Sequence, residues 1–373
     1  MKHQTTRYGE IPFYKIGTFG NTADAFISKK LFLEYKTKYS FPKKGDILIS
    51  ASGTIGRAVI YDGKPAYFQD SNIVWIDNDE TLVKNDFLFY AYSNVKWNTE
   101  HTTILRLYND NFRNTLIPLP PLNEQIAIAN ILSTLDRYLC ALDALILKKE
   151  GVKKALSFEL LSQRKRLKGF NQAWQKVRLG DICEIGNGGA YETLIVENGD
   201  FKLISLNSID IDGNLKNTMK RVNFYDNSLK QDDIVMVLSD VAHGDFLGLC
   251  AVIPSNDYVL NQRMGRLRIR NDCINILFLR LYINANQKYF KMQGQGSSQL
   301  NLSKKAIEDF EIPLPPLNEQ SAIANILSAL DNEIISLKNK KRQFENIKKA
   351  LNHDLMSAKI RVLENKFYNK NKT

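Results

Sequence analysis

Histidine and cysteine are scarce, four of each in 373 residues, and neither is placed for metal or redox chemistry. Cys140, Cys183, Cys250 and Cys273 are scattered without a Cys-x-x-Cys pair, so zinc-binding and dithiol motifs are missing and reduced thiols are expected. His3, His101, His243 and His353 are isolated, and only His243, in Ser239-Asp240-Val241-Ala242-His243-Gly244-Asp245, sits in an inviting loop. No metal site is expected from them. Long apolar runs are also missing. No stretch approaches the roughly 18 uncharged apolar residues that a bilayer span needs. The opening MKHQTTRYGEIPFYKIG lacks the apolar core of a signal peptide. The expectation is a cytoplasmic protein with no membrane partner.

Catalytic signatures are absent too. No Asn/Asp-Pro-Pro-Tyr/Phe run marks a methyltransferase, and the double prolines fall only in two Leu-Pro-Pro-Leu sites. No phosphate-binding Gly-x-x-x-x-Gly-Lys-Ser/Thr loop exists; Gly53-Thr54-Ile55-Gly56 lacks the lysine and reads as a turn between strands. No carboxylate cluster with a nearby lysine suggests a metal-dependent nuclease. Any catalysis is therefore expected from partners.

What the chain does have is length for two or more domains and an ordinary balance of 44% hydrophobic and 24% charged residues. Its formal charge is +11, which invites nucleic-acid binding. The excess is unevenly spread. Residues 117–170 carry 9 basic and 5 acidic side chains, and residues 312–373 carry 11 and 6. Residues 1–116 carry 15 and 12, and residues 171–311 carry 16 and 17. The two basic segments read as long helices with a solvated face, so charge by itself supports DNA binding only weakly.

Self-similarity is the strongest signal. Residues 117–136 read IPLPPLNEQIAIANILSTLD and residues 312–331 read IPLPPLNEQSAIANILSALD, identical at 18 of 20 positions with an offset of 195. A period so long implies a half-molecule built twice. In each copy the prolines disfavour helix before them, and Asn123 or Asn318 is then available to cap a helix whose first turn holds Glu124 or Glu319. Apolar residues follow at alternating four- and three-residue steps. One stripe runs Ile128, Leu132, Leu135, Leu139, Leu142, Ile146, Lys149, then Val152, Leu156 and Leu160. The other runs Ile323, Leu327, Leu330, Ile334, Leu337, Lys341, Phe344, then Ile347, Leu351 and Leu355. These are coiled-coil seams. A helix of about 40 residues runs about 60 Å, longer than the face of a small domain, so the two are expected to pair with each other, antiparallel.

The segments before each helix carry short β-like runs punctuated by Gly, Asn and Asp: 47–49, 58–61 and 73–76 in the first, 234–238, 249–253 and 266–269 in the second. Helices are expected near Asn85–Ser93 and Ile274–Asn286. Lys44-Gly45-Asp46-Ile47 aligns with Gln231-Asp232-Asp233-Ile234, Gln69-Asp70-Ser71-Asn72 falls near Asn261-Gln262-Arg263-Met264, and Leu105-Arg106-Leu107 matches Leu300-Asn301-Leu302. The expected fold is α+β: two α+β globular domains joined by two long helices pairing as an antiparallel coiled coil, with pseudo-twofold character. The boundaries are 1–116 for the first domain, 117–170 for the central helix, 171–311 for the second domain and 312–373 for the distal helix.

The doubled PLPPLNEQ-x-AIANILS-x-LD element resembles the specificity (S) subunits of type I restriction-modification enzymes, over essentially the whole chain. GDILISASGTIGRAVI at 45–60, the stretch from Gln295 to Ser303 and Trp174-Gln175-Lys176-Val177-Arg178-Leu179-Gly180-Asp181-Ile182 add to it. The resemblance implies a subunit without its own catalytic centre. Each recognition domain reads one half of a bipartite double-stranded DNA site, and the helices set the spacer. Two modification subunits dock on the helices, bind S-adenosylmethionine and methylate a flipped adenine. Restriction subunits supply ATP-driven translocation, with Mg, and no cofactor belongs to this chain.

Base-edge readout needs Arg, Asn, Gln, Ser or Thr in polar loops. The candidates are Arg57, Gln69 and Asn72 in the first domain, and Asn261, Gln262, Arg263, Ser297, Ser298 and Gln299 in the second. Lys29, Lys30, Lys43 and Lys44 are candidates for phosphate contact. Asn123, Glu124, Gln125, Asn318, Glu319 and Gln320 are assigned to the helix starts and subunit docking. Tyr8-Gly9-Glu10-Ile11 aligns with Asn198-Gly199-Asp200-Phe201, so Trp174–Glu197 has no counterpart upstream of Tyr8. The first domain is expected to lack its opening strand and turn, as a shortened working domain or as a truncated copy that donates recognition segments by recombination. A coiled-coil scaffold whose globular parts bind protein is the alternative from another class.

Overall fold

The computed structural model describes residues 4–68, 72–97, 106–241 and 244–362. In chain order the elements are β1 (Ile11–Tyr14), β2 (Ala25–Ile27), α1 (Lys29–Lys38), β3 (Ile47–Ser50), β4 (Ala58–Ile60), β5 (Tyr67–Phe68), β6 (Ile73–Ile76), α2 (Asn85–Tyr92), α3 (Asn109–Arg113) and α4 (Leu122–Leu161). Then come β7 (Gln175–Arg178), α5 (Leu179–Ile182), β8 (Cys183–Asn187), β9 (Phe201–Ile204), β10 (Lys220–Val222), β11 (Ile234–Val237), β12 (Ser239–Val241), β13 (Cys250–Val252), β14 (Tyr258–Leu260) and β15 (Met264–Ile269). The chain closes with α6 (Ile276–Ala285), α7 (Gln287–Gln293), β16 (Gln299–Asn301), α8 (Lys304–Glu308), β17 (Glu311–Leu314) and α9 (Leu317–Met356). The chain forms two compact units, Met1–Ala144 with Asn339–Thr373, and Leu145–Lys338. Each thus joins an α+β globular part to the start of one long helix and the end of the other.

In the first unit, β3 is the central strand of the sheet β4-β3-β6, and all four of its residues are buried. An unbroken apolar run is what a strand covered on both faces requires. β1 lies between β2, antiparallel, and β5, parallel. In the second unit β11 occupies the place of β3 in the sheet β13-β11-β15-β8, and β9 lies between β10, antiparallel, and β14, parallel. The turn into each central strand is built alike. The Lys43 N–H donates to Asp46 Oδ2 at 2.7 Å, and the Lys230 N–H to Asp233 Oδ2 at 2.7 Å. Gly45 and Asp232, at matching places, take left-handed φ values of 94° and 70°; glycine does so without strain, while aspartate is among the few side chains that tolerate it.

Two of the sequence alignments fare differently. The bridge Ser52↔Arg106 matches Ser239↔Asn301, as the 195 offset predicts. The Ala51 N–H donates to the Asn72 carbonyl and the Leu238 N–H to the Arg263 carbonyl, so Asn72 corresponds to Arg263, one residue away from the sequence alignment. A one-residue slip is invisible where identity is low, but it reverses which face a strand residue presents.

Both long helices are 40 residues. Their starts differ from expectation: the N–H groups of Glu124 and Gln125 donate to the Pro121 carbonyl, and those of Glu319 and Gln320 to the Pro316 carbonyl. Asn123 and Asn318 therefore lie inside the first turn, each accepting the next residue's N–H at 3.0 and 2.9 Å, and do not cap. In the first unit the start of α4 packs antiparallel on the end of α9, with Lys341 Nζ 2.6 Å from Asp143 and Lys348 paired with Asp136. In the second unit the end of α4 packs on the start of α9, with Lys149 2.8 Å from Glu333 and Lys153 paired with Asp331. Leu132, Leu142 and Ile146 on α4, and Ile323, Leu327 and Ile334 on α9, are buried as the stripes predict.

Two stripe positions are corrected. Val152 is 45% exposed and Ile347 50%. The seam takes a four-residue step there, so Lys153 and Lys348 occupy its edge, each facing an aspartate. These pairs are repeats of one another: 195 separates Asp136 from Asp331 and Lys153 from Lys348. At another repeated position the contents diverge. Tyr138 and Phe344 meet at 4.7 Å between ring centroids, whereas Glu333 and Lys149, 195 residues away from each, form an ion pair.

Candidate nucleic-acid interface

The helix-start motif is spent on internal contacts. Gln125 is fully buried; its Oε1 accepts the Lys84 N–H at 2.8 Å, and its Nε2 donates to the carbonyls of Leu82 and Pro120 at 3.0 and 2.8 Å. Gln320 repeats this on the Asn275 N–H at 2.8 Å and on the carbonyls of Cys273 and Pro315 at 3.0 and 2.8 Å. Each glutamine fixes the turn that starts α2 or α6 against a long helix. Glu319, 1% exposed, accepts Arg166 Nε at 3.0 Å and Trp174 Nε1 at 3.0 Å. Glu124, likewise buried, takes Arg361 at 3.0 Å. Arg166 and Arg361 are again 195 apart. The helix starts leave open the apolar Leu119, Leu122 and Ile126 in the first unit and Leu317 in the second, with Asn123 and Asn318 also exposed.

In the second unit the polar candidates separate into inward and outward sets. Asn261 is fully buried; its Oδ1 accepts the Tyr191 N–H at 3.1 Å and its Nδ2 donates to Glu192 at 2.8 Å. It braces the segment after β8, where Gly188 lies so close to the Leu260 and Asn261 carbonyls that a Cβ would come within 2.4 and 2.2 Å. Gln262 and Arg263 are exposed, and Arg263 holds a left-handed φ of 70° at the turn into β15. Beside them opens a cleft of about 300 Å³ whose rim includes Asn187, Ser239 and Asn301. β12 and β16 pair along it, with the Ser239 hydroxyl bonded to the Asn301 side chain. Ser297 and Ser298 are exposed on the loop into β16 and Gln299 is half-buried, where Gly296 takes a φ of 125°. The ledge so formed offers amide, hydroxyl and guanidinium groups, the set that matches base edges. Asn187, Ser239 and Asn301 were not among the sequence candidates; Ser239 opened the inviting loop around His243, Asn301 aligned with Arg106, and Asn187 carried no signal.

In the first unit Arg57 is exposed, but its guanidinium donates to the Phe19 carbonyl at 3.0 Å. Asn72 is half-buried and accepts from the Ser52 hydroxyl at 2.9 Å. Gln69 lies outside the described residues, as do His3, His101 and His243. Gly53-Thr54-Ile55-Gly56 is the turn between β3 and β4, with φ of 68° and 79° at its two glycines. Lys29, Lys30 and Lys44 are exposed, and Lys43 faces Asp77 at 3.3 Å. Among the described residues no His, Cys, Asp or Glu cluster could hold a metal, and no helix is long and apolar enough to cross a membrane.

This doubled arrangement has counterparts. The model of the type I restriction modification DNA specificity domain matches residues 1–149 and again 171–346. The chain belongs to that family. Its role is recognition of DNA sequence in type I restriction-modification. A putative type I restriction enzyme specificity subunit of Haemophilus influenzae is 63% identical over 137 residues, 36% of either chain. The MjaVIII specificity subunit of Methanocaldococcus jannaschii is 29% identical over 368 residues, 91% of this chain and 84% of that one. The type I S subunit of M. genitalium shares the fold, with a TM-score of 0.65 at 19% identity over 95% of this chain and 91% of that one.

Proposed function

We propose that the two globular parts, residues 1–116 and 171–311, each read one half of a bipartite double-stranded DNA site, and that the helices of 117–170 and 312–373 set the spacer between them. The observation that supports this is the repeated ledge, Ser52 with Arg106 in one unit and Ser239 with Asn301 in the other, built on otherwise diverged loops. A doubled reader suits a two-part site because half-site spacing follows protein geometry. Gln262, Arg263, Ser297, Ser298 and Gln299 are the base-reading candidates in the second unit. In the first, Arg57 and Asn72 would have to exchange an internal hydrogen bond for one to DNA.

The subunit itself is read as non-catalytic and cytoplasmic. Two modification subunits carrying S-adenosylmethionine would dock at the helix starts, with Leu119, Leu122, Ile126 and Leu317 as apolar contacts, and restriction subunits with ATP and Mg would join them. The buried Glu124, Gln125, Glu319 and Gln320 support docking by shaping the helix starts, with Asn123 and Asn318 exposed beside them. Footprinting with the modification partner tests the reading: two protected patches at a fixed spacing are expected, and protection indifferent to sequence would overturn it. Exchange of residues 171–311 for another recognition domain should change one half-site; a change in both would refute the modular scheme.

A further inference from the structure

The two ledges carry the same residue types in exchanged places. The Leu107 N–H donates to the Ala51 carbonyl at 2.7 Å in the first unit, as the Leu302 N–H does to the Leu238 carbonyl at 2.8 Å in the second. Asn301 therefore occupies the place of Arg106, just as Arg263 occupies that of Asn72. Around the shared serine, the first unit sets Asn72 at the turn into β6 and Arg106 across the bridge from Ser52. The second sets Arg263 at the turn into β15 and Asn301 across the strand pair from Ser239.

The serine, 6% exposed in both units, bonds to the asparagine wherever it stands. The Ser52 hydroxyl donates to Asn72 Oδ1 at 2.9 Å, and the Ser239 hydroxyl bonds to the Asn301 side chain. Asn301 Nδ2 also donates to the Gln299 carbonyl at 3.2 Å, and its main chain pairs with Gln295 at 2.9 and 3.0 Å. The amide is thus held in one plane at the rim of the cleft. The arginine takes the other corner. Arg263 is exposed on that rim, and the Arg106 guanidinium lies 5.9 Å from the ring centre of Tyr108, a side chain 46% exposed.

These two residue types complement different bases. An asparagine amide pairs with N6 and N7 of adenine, and a guanidinium pairs with O6 and N7 of guanine. We propose that Arg106 and Asn301 determine specificity, and that each ledge reads an adenine and a guanine at neighbouring base pairs, with the two places exchanged between the half-sites. This rests on the bipartite reading given above. In the first half-site Asn72 takes adenine and Arg106 guanine; in the second Arg263 takes guanine and Asn301 adenine. Each amide leaves its serine as it takes the base edge.

The test uses the full chain with its modification partner and DNA pools in which one half-site is randomised. The wild type should select adenine beside guanine in each half-site. Arg263→Asn combined with Asn301→Arg copies the first ledge onto the second, and asparagine tolerates the φ of 70° at position 263. That variant should exchange the two bases within the second half-site and leave the first unchanged. If it loses binding, the alanine variants decide. Arg263→Ala and Arg106→Ala should each lose selection of one guanine, and Asn301→Ala and Asn72→Ala of one adenine, by about fivefold or more at that position. A purely structural role would instead weaken all sequences alike. Loss at a different base, loss spread over the half-site, an unaltered motif in the exchanged variant, or wild-type half-sites without the neighbouring pair would overturn the assignment. Two protected patches of the wild type would still uphold the bipartite reading in each of those cases, whereas protection indifferent to sequence would end both.

Discussion

At the scale of residues, the same types serve opposite ends, and burial sorts them. Asn261 and Arg263 are two positions apart, yet one braces a loop from inside and the other stands in solvent. Asn261→Ala should lower the unfolding free energy by about 2–3 kcal/mol, since the Tyr191 N–H and Glu192 lose a buried partner. Arg263→Ala should leave the urea midpoint unchanged and cost about 1–3 kcal/mol of binding to the cognate second half-site. The sequence offered polar residues in loops but no means of telling these two apart, because the covering segment 189–192 comes from about 70 residues upstream. Arg166→Ala leaves the carboxylate of Glu319 buried with Trp174 alone and should cost about 2–4 kcal/mol, more than Arg361→Ala, whose arginine is 55% exposed. Thiol titration checks a further point. Burial pushes the Cys183 thiol up to about 12 and raises Cys250 as well, while Cys140 and Cys273 are exposed. Two thiols should react promptly with a disulfide reagent at neutral pH, and two more only after unfolding.

At the scale of elements, the expected strands at 47–49, 58–61, 73–76 and 234–238 and the expected helices near 85 and 274 were legible, because turn residues bracket each apolar run. The repeat made the long helices legible too. What misled was a single heptad step: Val152 and Ile347 are apolar and lie three residues after the preceding stripe position, but an unbroken seam takes four residues there and selects Lys153 and Lys348. A lysine can sit at such an edge by burying its stem and ending on a carboxylate. Val152→Ala and Ile347→Ala should therefore change stability by no more than about 0.5 kcal/mol, whereas Leu142→Ala and Leu327→Ala should each cost about 2–5 kcal/mol. Urea unfolding of the four variants distinguishes the registers, and a large loss at Val152 would restore the sequence-based one.

At the scale of the molecule, the pairs Asp136–Lys348, Asp143–Lys341, Lys149–Glu333 and Lys153–Asp331 fix one helix against the other. Lengthening α4 alone would break every pair on one side of the insertion. Seven residues placed both between Gly151 and Val152 and between Asn332 and Glu333 would preserve the seam and add about 10 Å, close to three base pairs of DNA. Methylation mapping should then find a spacer longer by about three base pairs; an unchanged spacer would mean that the helices do not measure it. The divergence at Tyr138, Phe344, Lys149 and Glu333 has another effect. A duplicated helix would ordinarily recognise its own twin as readily as its sister. Here two α4 helices brought together would oppose Tyr138 to Lys149, and two α9 helices would oppose Glu333 to Phe344, so each meets its chemical complement only in the other. Copying made the halves alike, and this exchange of an aromatic contact for a charged one makes self-recognition the poorer match, favouring pairing of α4 with α9 over pairing of either helix with its own twin.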